Sequence, residues 1–315
     1  MEKRTLGRSD IAIAPIVFGG NVFGWTADKE TSFALLDRFV DAGFNAVDTA
    51  DTYSSFAPGN EGGESETVIG EWIASRKRRD DLVIMSKVAK WKQRPGLSEA
   101  NIMAAIDDSL KRLKTDHLDV YFAHEDDKTV PLEETLGAFA KLVEAGKVRV
   151  LGASNYEAAR VEEALTISEA NSGPRYEVLQ PEYNLYARGD FEGPLKETAQ
   201  THGLGVVTYF SLASGFLTGK YRSKADIEGA NRERMLGGYF NDGGKGQRIL
   251  EALDEVAGAT GAKPAEIALA WLIAKDGVTA PIASATSVKQ LDETLGAAKV
   301  KLSADQMRVL DEAGA

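Results

Sequence analysis

Asp48, Tyr53, Lys87 and His124 bring a carboxylate, a phenol, an ammonium and an imidazole to one chain. Those are the parts needed to hand a proton to a carbonyl oxygen. Three of them lie in two distinctive runs, Asn45-Ala46-Val47-Asp48-Thr49-Ala50-Asp51-Thr52-Tyr53 and Val83-Ile84-Met85-Ser86-Lys87. A buried Asp–Lys pair stabilises little, because desolvating both charges offsets their attraction. Its better use is to set the pKa of a neighbour: a phenol ionises near ~10, and a close ammonium favours the charged form. Tyr53 follows Asp48 closely enough for its ring to reach back over the same site, with His124 orienting the oxygen that takes the proton.

Such a set must be gathered by the fold. Apolar runs at 16–18, 46–47, 82–85, 118–122, 148–151, 178–179, 205–209 and 279–282 read as buried strands. Between them, 29–42, 65–75, 98–113, 131–145, 157–171 and 191–202 have helix length. Ser98 reads as an N-cap, Pro131 as a first helical residue, and Gly43 and Gly146 as C′ positions. Buried parallel strands alternating with helices imply right-handed β-α-β units. Eight of them predict an α/β fold, a closed (β/α)8 TIM barrel formed by residues 1–315 as one domain. The phosphate fingerprint of an open dinucleotide-binding sheet does not follow Gly19-Gly20. Residues 3–13 read as a β-hairpin plugging the barrel bottom, and the glycine-rich 212–246 as a long functional loop after the seventh barrel strand.

The bulk composition narrows the classes. A chain of 315 residues with 43% hydrophobic content buries roughly three quarters of its unfolded surface. It has no cysteine for a disulfide, a thiolate metal site or a nucleophile. A net charge of −11 disfavours nucleic acid as a partner. The basic cluster Arg76-Lys77-Arg78-Arg79 reads as a solvated helix C-terminus. Neither a membrane span nor an apolar leader is apparent, so the expectation is a cytoplasmic protein with no extension before its hairpin. Its three dispersed histidines lack metal-ligand spacing, and no metal is expected.

In a barrel of this type the site forms where the strands end. The second strand ends at Asp48, the third at Lys87, the fourth at His124, the fifth at Ser154-Asn155, the sixth at Gln180 and the seventh at Tyr209, while the eighth leads into Ser284-Ala285-Thr286. Tyr53 would then give its proton to a carbonyl oxygen as hydride arrives at the carbon, or take it in reverse.

On these residues, on Gly152-Ala153-Ser154-Asn155 and Gln180-Pro181-Glu182-Tyr183-Asn184, and on Tyr209 with Leu212-Ala213-Ser214-Gly215-Phe216-Leu217-Thr218-Gly219-Lys220-Tyr221, the chain resembles the aldo-keto reductases. The likeness is to bacterial members related to the voltage-gated potassium channel β subunits, and it spans essentially the whole chain. It implies an oxidoreductase acting on a small carbonyl or alcohol, with Tyr53 as general acid/base, Asp48 and Lys87 as its tuning pair and His124 orienting the substrate. It also implies a nicotinamide cofactor, NADPH/NADP+ with NADH as an alternative. Ser154, Asn155 and Gln180 would bond the carboxamide, and Tyr209 would stack on the ring. The segment Leu212–Lys220, with Ser214 and Gly215, would cover the pyrophosphate and Lys220 would supply charge, while Gly20, Asn21, Asp48 and Ser211 would be further cofactor-binding residues. Ser284, Thr286, Gln290, Glu293 and Thr294 fall in a stretch similar to the adenosine segment, although the family often has Gly at Ser284, Arg or Lys near Thr286 and Asn at Thr294. Phe210 also departs from a usual Ser. Trp25 and Trp91 join Tyr53 and His124 as substrate-side residues. A cofactor-bound redox sensor regulating a partner is the alternative, and a Schiff-base barrel aldolase on Lys87 a third reading. Substrate and oligomeric state are not legible.

Overall fold

The computed structural model describes residues 1–229, 233–240 and 243–315. It opens on an antiparallel hairpin, β1 (Arg4–Thr5) and β2 (Ala12–Ile13). Eight parallel strands follow among the described residues: β3 (Val17–Gly19), β4 (Ala46–Asp48), β5 (Val83–Val88), β6 (Leu118–Ala123), β7 (Val148–Ser154), β8 (Tyr176–Gln180), β9 (Gly205–Thr208) and β10 (Ala280–Ala283). They close in sequence order, with β10 pairing both β3 and β9. The expected (β/α)8 barrel is the fold the chain adopts.

Helices α1 (Lys29–Asp41), α2 (Glu64–Arg76), α3 (Glu99–Leu113), α4 (Leu132–Glu144), α5 (Ala158–Ala170) and α6 (Pro194–Thr201) follow β3 to β8 in turn. After β9 come α7 (Glu233–Leu236), α8 (Lys245–Thr260) and α9 (Pro264–Ala274), and after β10 come α10 (Val288–Gly296) and α11 (Ala304–Ala313). Ser98 caps α3 by accepting from the Asn101 amide. Gly43 and Gly146 follow α1 and α4 at φ 89° and 71°, a region open to glycine. Pro131 differs from its expected place by one residue: it is the N-cap of α4, and Leu132 opens the helix. Among the described residues no helix is long and apolar enough to cross a membrane.

The basic cluster corrects one expectation. Arg76 does end α2, but Arg79 is not solvated, since it pairs at 2.7 Å with Asp119, whose side chain is 1% exposed. Asp119 also takes Arg149 at 2.7 Å and the Ile84 amide at 2.9 Å. A buried carboxylate needs such company, and Arg79 supplies it.

Strand pleating decides which side chains see the barrel interior. Ala46, Val83, Met85, Val120, Phe122, Val150, Val178, Val207, Ala280 and Ile282 form one apolar cluster. The alternating residues Val47, Ile84, Tyr121, Leu151, Leu179 and Val206 belong to a second cluster with the helices. Continuing the inward series by twos reaches Asp48, Lys87, His124, Ser154, Gln180, Tyr209 and Ser284. Period-2 geometry therefore sends one expected residue from each of these strand ends to one mouth. Gly152 interrupts the inward series because a Cβ there would lie 2.4 Å from the Phe122 ring.

Leu6, Ile11 and Ile13 of the hairpin join the interior cluster from below, so the hairpin is the expected plug. Its tether is polar: Arg4 donates to the Ile273 carbonyl at 2.9 Å, and Asp10 pairs with Arg149 at 3.1 Å. Ile13→Ala is expected to lower unfolding free energy by about 2–5 kcal/mol, as read by urea denaturation. A loss under half a kilocalorie would mean the plug carries no core.

The 212–246 stretch is shorter in irregular chain than its length suggests. It contains turns of 3-10 helix at Ala213–Thr218, Lys224–Ile227 and Gly237–Phe240, besides α7. Phe216 stacks on Tyr239 with ring centroids 4.8 Å apart. Residues 230–232 and 241–242 of the stretch lie outside the described residues.

Candidate active site

Lys87 is the centre of the site and is fully buried. Its ammonium has three acceptors, Asp48 Oδ2 at 2.6 Å, the Thr49 carbonyl at 2.8 Å and the Tyr53 hydroxyl at 2.8 Å. Three N–H groups and three acceptors leave the charge satisfied despite its burial. Tyr53 in turn donates to Asp48 Oδ2 at 3.2 Å. That is long for an O–H···O bond, so the phenol can give it up for a better acceptor. The other carboxylate oxygen, Asp48 Oδ1, accepts from Gln180 Nε2 at 2.9 Å. Asp48 is thereby oriented by two strands, β5 and β8, on either side of it.

The Tyr53 ring reaches the mouth with an exposed edge, while its hydroxyl sits among the buried Lys87 and Asp48. Burial first, and then the Asp48 charge, hold the phenol well above its ordinary range. This corrects the expectation that Lys87 would pull Tyr53 down: removal from water outweighs the ammonium. Burial also pulls Lys87 down, against the opposing field of Asp48. The imidazole of His124 lies edge-on to Tyr53, ring centroids 6.0 Å apart, and its Nδ1 has no hydrogen-bond partner among the described residues. Burial and the charges of Lys87 and Lys90 hold it well below the usual histidine range, so it is neutral at physiological pH.

The opposite side of the mouth is a chain of amides and hydroxyls. Tyr209 donates to Asn155 Oδ1 at 2.7 Å, Asn155 Nδ2 to the His124 carbonyl at 2.8 Å and to Ser154 Oγ at 3.1 Å, and Ser154 Oγ to the Gln180 carbonyl at 2.8 Å. Asn155 holds φ 57°, a conformation asparagine tolerates better than most residues. The half-buried Tyr209 packs over the interior apolar cluster.

Beyond Tyr209 the backbone turns through positive φ at Phe210 (51°), Ala213 (47°), Ser214 (58°) and Gly215 (99°). Successive turns of this hand can aim amides at an anion. The exposed Lys220 lies beside them, its Nζ 3.9 Å from where a Gly215 Cβ would stand. Ser211 is turned inward and donates to the Thr208 carbonyl at 2.9 Å, and Leu212 is the N-cap of the Ala213–Thr218 turn. Across the mouth, Ser284 Oγ donates to Asn21 Oδ1 at 2.6 Å, joining the ends of β10 and β3 beside Gly20. Thr286 bonds Gln290 through both amide and hydroxyl at 2.9 Å, just before and within the first turn of α10. One turn further, Glu293 pairs with Lys263 and Thr294 is buried.

Trp25 packs edge-on against Phe56 at 4.9 Å. The loops carrying them are tied by Ser54 Oγ to the Phe23 carbonyl and by Asn60 Nδ2 to that of Gly24. Trp91 donates to the Glu61 carbonyl at 2.8 Å, with the guanidiniums of Arg94 and Arg112 over its ring. The loops after β3, β4 and β5 are thus tied to one another, with Trp25 and Phe56 in ring contact and Trp91 held apart beside two guanidiniums. A group that sequence reasoning passed over is Asp51 with Glu66, Arg112 and Tyr121. Its signal was available, because Asp51 lies in the same run as Asp48 and Tyr53.

A family model described as "Aldo/keto reductase family" matches residues 15–315. Among curated relatives, a Bacillus subtilis protein named uncharacterized oxidoreductase YrpG is 32% identical, covering 99% of this chain and 95% of its own length. A probable voltage-gated potassium channel subunit beta from Oryza sativa is 33% identical, over 95% of this chain and 92% of its own. Protein tas of Escherichia coli is 30% identical, over 99% and 97%.

Proposed function

The chain belongs to the aldo/keto reductase family, a family of oxidoreductases, and from that premise we propose that it reduces aldehydes or ketones to alcohols with NADPH. The observation that carries the reading is the Tyr53 hydroxyl held 2.8 Å from the Lys87 ammonium with a weak 3.2 Å bond to Asp48. A nicotinamide dinucleotide, when bound, supplies the hydride.

The chain's own residues handle the oxygen. With its pKa raised, Tyr53 arrives protonated and is correctly loaded as an acid. It turns its O–H from Asp48 to the carbonyl oxygen as that oxygen gains negative charge. Lys87 stabilises the phenolate left behind, and Asp48 keeps Lys87 in place. Neutral His124 donates to the same oxygen and selects one orientation of the carbonyl. The aromatic pair of Trp25 and Phe56 suits a hydrophobic substituent on the substrate.

The residues fit the cofactor on their chemistry. Ser154, Asn155 and Gln180 match a carboxamide, the Tyr209 face an aromatic ring, and the positive-φ turn with Lys220 a pyrophosphate. Ser284, Thr286, Lys289 and Gln290 lie at the start of α10, where a 2′-phosphate would meet amides and one lysine. Glu293 and Thr294, one turn on, would border the adenosine.

The test is a screen of aldehydes, ketones and sugars read by nicotinamide absorbance, with fluorescence titration of both dinucleotides. Turnover of a carbonyl compound and tighter binding of NADPH than NADH are the expected results. Tighter NADH binding would overturn the cofactor choice, and no consumption with any carbonyl would favour the second reading. That reading, a dinucleotide-bound module regulating a partner, draws on the relative named as a channel subunit.

A further inference from the structure

Behind Lys87, toward α2 and α3, lies a second set of ionisable side chains that the proposed reaction does not use. Ser86 and Tyr121 point to the outer side of the barrel wall by the pleat described above. Glu66 of α2 is fully buried and accepts from Ser86 Oγ at 2.5 Å and from Arg112 Nε of α3 at 2.7 Å. Asp51 lies in the same group with a side chain that solvent barely reaches, 1% exposed. Neither of its carboxyl oxygens has a hydrogen-bond partner among the described residues, and the Tyr121 hydroxyl is likewise unpartnered. The Asp51 amide donates to the Lys87 carbonyl at 3.3 Å, tying the two residues through the backbone.

A buried, unpartnered carboxyl group is costly, and a native structure that keeps one calls for an explanation. Asn would occupy nearly the same space with no charge to bury. We infer that Asp51 is a positioning residue of the reaction, its carboxylate holding the charge on Lys87 from behind as Asp48 holds it from the barrel interior. The inference rests on the roles of Tyr53 and Lys87 proposed above.

The groups around Asp51 set the sign. Glu66 from α2 repels its charge, while Arg112 from α3, the neighbouring Thr52 amide and Arg94 from the loop after β5 favour it; Tyr121 from β6 and Lys87 from β5 complete the surroundings. Burial first, then Glu66, push Asp51 up to about 7. Burial pulls Lys87 down, whereas Asp48, Asp51 and Glu66 draw it back up. Above neutrality Asp51 is therefore a carboxylate and supports the ammonium. Below neutrality it is a neutral acid, which Asn imitates. Losing the Asp51 charge lets Lys87 deprotonate at lower pH, and only the alkaline side of the rate profile responds.

Carbonyl reduction by Asp51→Asn is accordingly expected to lose its alkaline limb roughly one pH unit earlier than the unmodified enzyme, with little change on the acid side. Asp51→Glu, which keeps the charge, restores the limb, and Tyr121→Phe, which removes none, leaves its position unchanged. A folded Asp51→Asn with a uniform loss at all pH values, or with an unmoved limb, overturns the inference. Should that variant not fold, carboxyl-carbon NMR of the unmodified protein decides. An aspartate ionising near neutrality is expected, and its absence overturns the assignment. The two readings fail separately. Normal turnover in Tyr53→Phe removes the proposed reaction itself, whereas an inactive Tyr53→Phe with an unmoved Asp51→Asn limb removes only this role for Asp51.

Discussion

Tyr53→Phe is expected to lower carbonyl reduction by about 10²- to 10⁴-fold while fluorescence titration shows unchanged dinucleotide binding. The substitution removes one oxygen, the one that accepts from Lys87 at 2.8 Å and donates to Asp48 at 3.2 Å. The ring stays where it is, since the Lys87 ammonium lies 4.5 Å from its centroid and that cation–π attraction survives. Lys87 loses one of three acceptors, a cost of about 1–3 kcal/mol in stability. The loss of rate therefore cannot be assigned to a collapsed site if thermal unfolding shows the variant folded at the assay temperature. Normal turnover in this variant would sink the assignment of Tyr53 as the acid, whatever the carbonyl substrate.

Lys87→Met separates catalysis from stability. Removing one partner of a buried ion pair leaves the other charge stranded, at about 3–5 kcal/mol. Here the stranded group is Asp48, 1% exposed and held 2.6 Å from the missing ammonium. Urea denaturation should register that loss. Adding Asp48→Asn removes the stranded charge, so the double variant is expected to recover most of the stability and none of the turnover. Recovery of both would mean that the pair serves only the fold. A single variant as stable as the unmodified chain would mean that Asp48 takes up a proton when its partner is lost.

Much of the barrel was legible in the sequence for a physical reason. Parallel strands covered on both faces read as unbroken apolar runs, and each such run, from Ile16-Val17-Phe18 to Thr279-Ala280-Pro281-Ile282, overlaps a barrel strand. Helices α7, α8, α9 and α11 were not foreseen. The glycines of 212–246 obscure α7 and the start of α8, and α9 buries Ile267 through Leu272 without a polar face, so it has no amphipathic period to detect. In the site, residue types and strand ends were legible because pleating converts position into direction. Electrostatic balance was not. Whether Lys87 lowers Tyr53 or burial raises it depends on how much water each group loses, which no motif records. Arg79 was misjudged likewise: its partner Asp119 lies in a different β-α unit and meets it only through the fold.

The hairpin beneath the barrel bears on how the enzyme is recharged between turnovers. From Leu6, Ile11 and Ile13 up through Val17, Val83, Met85 and Val178, the column under Lys87 is lined by hydrocarbon and thioether. These apolar side chains give a proton no polar stepping stone, so the column they form beneath Lys87 is no route for one. In the role proposed for Tyr53, the proton it gives away would be replaced from the mouth rather than from below, through the same aperture that would admit the carbonyl compound and release the alcohol. Supply of acid and exchange of ligands would then share one gate, and a ligand that lingered there would delay the next protonation as well as the next encounter.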